Sequence, residues 1–204
     1  MSTRLITGAG TGAVLLFAAA IGVANPAYAE DGPTARELLD KCDNGTDVCE
    51  FHPSGPPEKF RGDVNQVGDT VYNCTSDLQR STVKWSETTT ESNSFGVSLS
   101  AESGFADVFK VSIETSYETT WESSSTFGQD DSIDVKPGEK GWVERSTEMQ
   151  RVKGQYEMHF PDPFYDHYIW YQDFDAVGPV KDAPGLITKK TAQMSDQERA
   201  EHCG

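Results

Sequence analysis

The chain has 204 residues, of which 36% are hydrophobic and 25% are charged. Acidic residues outnumber Lys and Arg by 33 to 17, which gives a formal net charge of -16. A nucleic-acid partner is excluded, because phosphate binding needs clustered Lys and Arg and the sequence has no such cluster. The length predicts one domain with a modest core.

Residues 1–29 have the layout of a secretory signal peptide. Arg4 precedes the apolar run 13–23, and Ala27-Tyr28-Ala29 is a small-residue cleavage site. A membrane anchor is the weaker interpretation, because the run is short for a bilayer span. We therefore expect an exported, extracellular protein.

The four cysteines indicate two disulfides in an exported chain. Sequence alone allows three pairings. Cys42 and Cys49 flank a turn-rich segment and are the natural local pair, which would leave Cys74 to pair with Cys203. A zinc site is the rival, but the sequence has no C-x-x-C pair and its histidines do not cluster. No metal or cofactor is expected.

The N-terminal part, 30–74, is predicted to be a cap with little regular structure. A short helix fits Thr34 to Lys41, after Pro33. The residues at 70–72 favour one short strand. Prolines and glycines between 45 and 62 are expected to prevent any long element.

The central part, 75–160, contains the strongest strand signal. Apolar and polar residues alternate from Phe95 to Ala101 and again from Val111 to Trp121. Such a period predicts strands and not one face of a helix. The segment 95–121 is therefore predicted to be a long amphipathic β-hairpin. Apolar residues at its tip, between 102 and 109, favour contact with a partner or a bilayer.

Further strands are predicted at 141–146 and 149–160, with the prolines at 161 and 163 ending the second. The C-terminal part, 161–204, begins with an aromatic segment that is expected to be a strand packed in the core. The alternative is that its Tyr165, Tyr168, Trp170 and Tyr171 form a contact patch for a receptor. A loop is predicted over 176–191. Ser195 and Glu198 form a capping box for a last helix over 196–202.

Motifs typical of enzymes are missing from the sequence. It has no nucleophile elbow, no phosphate-binding glycine loop and no zinc-binding helix motif. We therefore expect that the protein is not an enzyme.

The Ser/Thr-rich strand 81–100, the hairpin up to Trp121, the Ser/Thr run 122–127 and the segment 133–138 together resemble one known module. It is the membrane-inserting module of aerolysin-like toxins, the epsilon-toxin and mosquitocidal-toxin type, and the resemblance covers residues 75–160. It implies an all-β fold, mainly an elongated antiparallel sheet, to which the residues themselves add short helices at both ends and disulfide staples. It also implies a secreted protein that oligomerises on a target-cell membrane or surface receptor and inserts its hairpins as a barrel.

In that resemblance the two faces of the hairpin have different roles. The membrane-inserting side chains would be Phe95, Val97, Leu99, Phe105, Val108, Phe109, Val111, Ile113 and Tyr117. The pore-lining side chains would be Ser98, Ser100, Ser112, Glu114, Ser116 and Glu118. Rings of Glu would favour cations.

The alternative is a secreted, non-lytic, disulfide-stapled β protein that binds or inhibits another molecule. It would use the same hairpin as ordinary sheet and its acidic surface for solubility. The two hypotheses differ in one respect, because only a pore former must turn its hairpin from protein to lipid.

Overall fold

The computed structural model describes residues 32–100 and 103–204. The predicted signal peptide, 1–29, and residues 101–102 of the predicted hairpin lie outside these ranges. Within them the chain forms eight strands and three helices, and the expected mainly antiparallel β fold is confirmed. In chain order the elements are α1 (Ala35–Asp40), β1 (Val48–Pro53), β2 (Glu58–Tyr72), β3 (Gln79–Thr90), β4 (Ser92–Asn93), α2 (Gly104–Tyr117), β5 (Ser124–Val135), β6 (Glu139–Phe164), β7 (His167–Pro179), β8 (Leu186–Gln193) and α3 (Asp196–His202).

Strand β6 is the axis of the main sheet. Its first half pairs with β2 and β8, and its second half pairs with β1 and β7. The two strands predicted for this region are one strand, which continues through Pro161 and Pro163. The prolines are tolerated because they lie where pairing with β7 is interrupted, between His159 and Phe164. Strand β8 replaces part of the loop predicted over 176–191.

The expectation of little regular structure before residue 74 is wrong, because β2 alone spans 15 residues. Its glycines bend the strand and do not end it. Gly62 and Gly68 lie at the two register shifts against β6, where irregularities in β2 absorb one extra residue at Gly62 and two at Gly68. Gly68 has a φ of 66°, and a Cβ there would collide with the side chain of Val83.

A second, two-stranded sheet consists of β3 and β5. The strands pair without a shift from Gln79 opposite Val135 to Thr90 opposite Ser124. Their inner face packs against the first half of β6, in a core that includes Trp85, Ile133 and Val143. We call this region, with β2, β8 and α3, the strand half.

The second half of β6 has a different cover, made by α1 and by the chain between β4 and β5. The hairpin predicted for 95–121 is wrong here, because residues 104–117 form helix α2. Its buried residues are Phe105, Ala106, Phe109 and Ile113. They are spaced by three or four residues and so form one helical face. We call this region, with β1, β7 and α1, the helical half.

The two covers lie on opposite faces of β6. Buried residues are odd-numbered in the first half, with Val143 and Thr147, and even-numbered in the second, with Val152, Tyr156 and Met158. Successive side chains of a strand point to opposite faces. The chain therefore passes from one face to the other, and it does so where β4 pairs with the free edge of β7.

Each half has its own disulfide, and the preferred pairing is confirmed. Cys42 is bonded to Cys49 in the helical half, and Cys74 to Cys203 in the strand half. The predicted C-terminal helix is also confirmed, with Ser195 and Glu198 forming its capping box.

Candidate membrane-inserting segment

Residues 91–123 connect β3 to β5, and we call them the connecting segment. Its two ends meet, since the Glu91 N–H donates a hydrogen bond to the Ser123 carbonyl at 2.9 Å. Between these ends the segment leaves the two-stranded sheet, crosses the edge of β7 and covers the opposite face of β6. The connecting segment is thus a long connection between two strands whose own pairing does not involve it.

Most of the predicted membrane-inserting side chains face the protein core. Leu99, Phe105, Phe109 and Ile113 are buried. Phe95, Val97 and Val108 are partly buried against the same core, and Tyr117 is also partly buried. Val111 is the exception, with 61% of its surface exposed.

The predicted pore-lining side chains are mostly in water. Ser98, Ser100, Glu114, Ser116 and Glu118 are exposed, and Ser112 is partly buried. The Ser112 hydroxyl donates a hydrogen bond to the Phe51 carbonyl of β1. The segment therefore has the apolar and polar sides that the sequence predicted, although its backbone is helical where a strand was expected.

Aromatic packing holds α2 against the sheet. The Phe109 ring centroid lies 5.0 Å from those of Phe51 and Trp121 and 5.6 Å from that of Phe174. Burying a phenylalanine in such a cluster contributes about 2–3 kcal/mol. Detaching α2 would therefore need a compensating apolar environment.

Few polar contacts tie α2 to the rest of the molecule. The buried Tyr156 hydroxyl donates a hydrogen bond to the Phe105 carbonyl at 2.8 Å, and burial raises the pKa of Tyr156. At the start of the helix, the Gly104 N–H donates to the Asp43 carboxylate. Asp43 belongs to the loop closed by Cys42 and Cys49, so this disulfide loop caps α2 from another part of the chain.

Glu91 has a structural role in the connecting segment that sequence reasoning did not predict. It has the same strand parity as the predicted lipid-facing residues, which is costly for a charge. In the structure its carboxylate accepts hydrogen bonds from the Leu99 N–H and from the Trp121 indole, the second at 3.0 Å. It therefore fastens both arms of the connecting segment at their base. The sequence signal for this role was a charged residue at a position of the otherwise apolar strand face.

The strand half is held by charged groups instead. Arg145 of β6 is only 1% exposed, donates to Glu87 at 2.6 Å and lies 5.7 and 5.2 Å from the ring centroids of Trp85 and Phe127. Its Nε also donates to the Pro184 carbonyl. One buried cation thus joins β6 to both strands of the small sheet.

Asp131 forms a second polar junction in the strand half. Its carboxylate accepts hydrogen bonds at 2.8 Å from Trp85 and from Gln129, and Lys189 of β8 lies 3.3 Å away. Burial by itself raises the pKa of Asp131. The hydrogen bonds and the charge of the three partners lower this pKa by more than burial raises it, so the net shift is downward. The carboxylate therefore stays ionised and links β5 to β3 and β8.

The outer face of the β3–β5 sheet is entirely hydrophilic. Arg80 pairs with Asp134 at 2.7 Å and Lys84 with Asp130 at 3.4 Å. Elsewhere the face carries Ser and Thr hydroxyl groups. This is the even-numbered face of both strands, and it continues in sequence into the predicted pore-lining residues.

In residues 32–100 and 103–204, no helix is both long and apolar enough to cross a membrane. The same ranges contain no group of three or more His, Cys, Asp or Glu side chains that could hold a metal ion.

No protein-family model matches the chain, and no curated protein matches it either. A crystal structure of a candidate pore-forming toxin from Bacteroides vulgatus aligns with 73% of this chain and 57% of its own, at 8% identity and a TM-score of 0.28. Parasporin-2, a Bacillus thuringiensis toxin that recognises cancer cells, aligns with 74% of this chain and 73% of its own, at 11% identity and a TM-score of 0.27. This chain spans little more than half the length of the first structure.

Toxins are thus among the solved structures to which this chain is similar, as the sequence resemblance predicted. TM-scores this low support no statement about individual residues or mechanism. The evidence for a function therefore lies in the side chains of this protein itself.

Proposed function

We propose that this protein is a secreted, non-enzymatic pore-forming protein. In this proposal its connecting segment leaves the core, refolds as a β-hairpin that continues β3 and β5, and inserts into a target membrane as part of a homo-oligomer. The membrane, alone or with a surface receptor, is the partner.

The exposure of Val111 carries the proposal. Phe105, Phe109, Ile113 and Tyr117 are each four residues apart, and a spacing of four fits one face of a helix and also one face of a strand. Val111 lies midway between Phe109 and Ile113. It belongs to their face only in a strand, and in α2 it is 61% exposed. A second conformation in which this segment is extended accounts for a valine at that position.

The register of β3 and β5 supports the same hairpin. If this register continues without a shift beyond Thr90 and Ser124 into the connecting segment, Ser98 lies opposite Ser116, Ser100 opposite Glu114 and Phe105 opposite Phe109. All six predicted pore-lining residues then share the even-numbered face of the β3–β5 sheet. The turn falls at 106–108, within the tip that the sequence predicted.

The length of this hairpin also suits a bilayer. A transmembrane strand needs about 9–11 residues, and the arms 95–105 and 109–119 meet that need. Glu91 and Asn93 then fall outside the hydrocarbon region, which removes the cost of placing them against lipid.

A pair of lysine substitutions tests the proposal. Val111 and Ser116 are both exposed on α2, so Val111→Lys and Ser116→Lys are both expected to leave the folded monomer intact. Only Val111 would face lipid in the hairpin, where a Lys costs about 2–4 kcal/mol per subunit near the bilayer midplane. We expect Val111→Lys to lose dye release from vesicles and Ser116→Lys to retain it.

The measurement is leakage at equal protein concentration, with unheated detergent gels to detect oligomers and thermal unfolding to confirm the fold. Equal leakage by the two variants would contradict hairpin insertion. Aspartate at Phe105 or Phe109 is unsuitable for this purpose, because both side chains are buried and the monomer itself would be lost.

The second candidate is the secreted, non-lytic binding or inhibitor protein. The burial of Leu99, Phe109 and Ile113 favours it, because those side chains already have a complete protein environment. It predicts that the wild-type protein stays monomeric and releases no dye from any membrane. Leakage with an oligomer on the gel would exclude it.

A further inference from the structure

The turn between β6 and β7 exposes aromatic side chains that were expected in the core. We call residues 161–171 the aromatic tip. Tyr165, Tyr168 and Tyr171 are 49%, 58% and 54% exposed, and Ile169 is 43% exposed. Trp170 is partly buried and Phe160 is buried, so the tip is fixed at its base by ordinary packing. Exposed aromatic side chains grouped at one turn mark an interaction surface.

The exposed side chains lie on both faces of the end of the sheet that β6 and β7 form, and Ile169 and Tyr171 lie where β6 also pairs with β1. Tyr168 shares its strand face with Trp170 and the buried Phe174, and Ile169 and Tyr171 share the opposite face. A protein partner lying against the sheet would contact one face of the tip only. A bilayer interface surrounds the tip and contacts both faces. Tyrosine and tryptophan are also the residues enriched in the headgroup region of bilayers.

The charge of the tip indicates which lipid headgroup it would bind. It contains no Lys or Arg, and Asp162 and Asp166 are exposed at the turn. Together with the net charge of -16, these carboxylates disfavour an anionic surface. Aromatic faces bind quaternary ammonium groups, and Lys41 already places an ammonium 5.4 Å from the Phe164 ring centroid. Electron-rich rings beside carboxylates fit the choline group of a zwitterionic lipid.

The tip also lies at the end of the molecule where α2 begins. Lys41 contacts Phe164, which directly precedes the turn of the tip, and Asp43, two residues later, accepts the hydrogen bond from the Gly104 N–H. Residues from 41 to 43 therefore bridge the tip and the start of α2. A membrane held by the tip would face the part of the connecting segment that becomes the hairpin turn.

We infer that the aromatic tip anchors this protein in the interface of membranes rich in choline lipids, before the connecting segment moves. The inference rests on the proposed function for its biological role, but the binding step stands by itself. Tyr165 and Tyr168 supply rings at the turn, Tyr171 supplies one on the opposite face, and the two aspartates select the cationic choline.

Flotation of the purified protein with lipid vesicles tests this anchor. We expect binding to phosphatidylcholine vesicles and little binding to phosphatidylglycerol vesicles. Tyr165→Ser combined with Tyr168→Ser should weaken the binding by about tenfold or more, given two lost rings. The control is Leu186→Ser, which removes a 48% exposed apolar side chain from β8, in the strand half, and should change nothing.

Competition identifies the headgroup. Soluble phosphocholine should displace the protein from the vesicles at concentrations where phosphoethanolamine does not. Equal competition by both, equal binding of the tyrosine variant and wild type, or stronger binding to anionic vesicles would each overturn the inference. Binding only to cells, through a glycan or protein, with none to vesicles would also overturn it.

Binding and leakage together separate this inference from the proposed function. Val111→Lys should still float with the vesicles although it releases no dye, because its tip is intact. A wild-type protein that binds vesicles but releases no dye would support the anchor and contradict the proposed pore-forming function. Dye release that does not depend on choline or on the tip tyrosines would support pore formation and contradict the anchor.

Discussion

The two halves of the molecule cover the same central strand by different means. In the strand half, two strands with an unbroken register lie on β6, and charged groups such as Arg145 and Asp131 join the layers. In the helical half, α2 lies on β6 through aromatic packing around Phe109, with few hydrogen bonds. Directional charge pairs fix one geometry, whereas apolar packing tolerates exchange for another apolar environment. In the proposed function, the strand half would be the fixed part and the connecting segment the part that moves.

The disulfides give the largest expected effects on this comparison. Cys74 and Cys203 are 129 residues apart in sequence, and Cys42 and Cys49 only 7. Chain-entropy arguments give about 4–5 kcal/mol for the long loop and about 2–3 kcal/mol for the short one. We expect Cys74→Ser/Cys203→Ser to lower the free energy of unfolding more than Cys42→Ser/Cys49→Ser does, as measured by urea denaturation. Equal losses would mean that strain or residual structure, and not loop length, decides the contribution.

Phe109→Ala should break the helical half. It removes a buried ring from the centre of the aromatic cluster, and we expect a loss of about 3–5 kcal/mol in the free energy of unfolding. The matched control is Val111→Ala, two residues away and exposed, which should change stability by less than about 0.5 kcal/mol. In leakage assays Val111→Ala should weaken insertion although it leaves the stability of the monomer unchanged. A stability loss at Val111 like that at Phe109 would contradict the helix.

Glu87→Gln tests the charged junction of the strand half. It leaves the guanidinium of Arg145 buried without its anionic partner, and we expect a loss of about 2 kcal/mol. The double variant Glu87→Gln/Arg145→Met removes both charges and should recover much of that stability. Denaturation curves of wild type, both single variants and the double variant form a complete cycle. An additive result would show that the two side chains do not act as a pair.

Acid should loosen the end of the strand half that carries α3, and this is the smallest expected effect. Hydrogen bonds from Lys140 and from the Ser195 N–H lower the pKa of Glu198 to about 2 from its usual 4.5. A carboxylate with a lowered pKa stabilises the fold above its unfolded value, and that contribution disappears as the pH falls through the folded one. We therefore expect the stability difference between wild type and Glu198→Gln to shrink between about pH 4.5 and pH 2, as followed by thermal unfolding. A difference that does not depend on pH would assign the role of Glu198 to packing.

Local signals in the sequence predicted several elements well. The Ser195–Glu198 capping box fixed the start of α3, because each partner of the box is within one turn of the other. Most of β3 lies within the Ser/Thr-rich strand 81–100 of the resemblance, whereas β5 was not predicted, because its acidic residues 130, 131 and 134 are typical of a solvated turn. The disulfide pairing came from proximity along the chain for one pair and from elimination for the other.

Other features could not be read locally. The tyrosines of the aromatic tip were expected in the core, because aromatic residues in a strand usually pack against a core. Tyr165 and Tyr168 are exposed at the turn between β6 and β7, and Tyr171 is exposed because it lies on the face of β7 opposite the buried Phe174. Strand β2 was missed because its glycines were taken as breaks, and only pairing with β6 turned them into bulges.

By itself the sequence determined the class of fold, a preferred disulfide pairing, the terminal helices and which side chains of the connecting segment are apolar. It did not determine whether those side chains lie on a helix or a strand, because residues four apart share a face in both. The tertiary structure decided for the helix, since Phe51, Tyr156 and Phe174 form a concave apolar surface that accepts Phe109. The close approach of Gly154 to the Phe51 ring helps to make that room. In the proposed function a membrane would offer the same side chains a different apolar environment, and strands of a closed barrel would satisfy their backbone groups there by pairing with neighbouring strands.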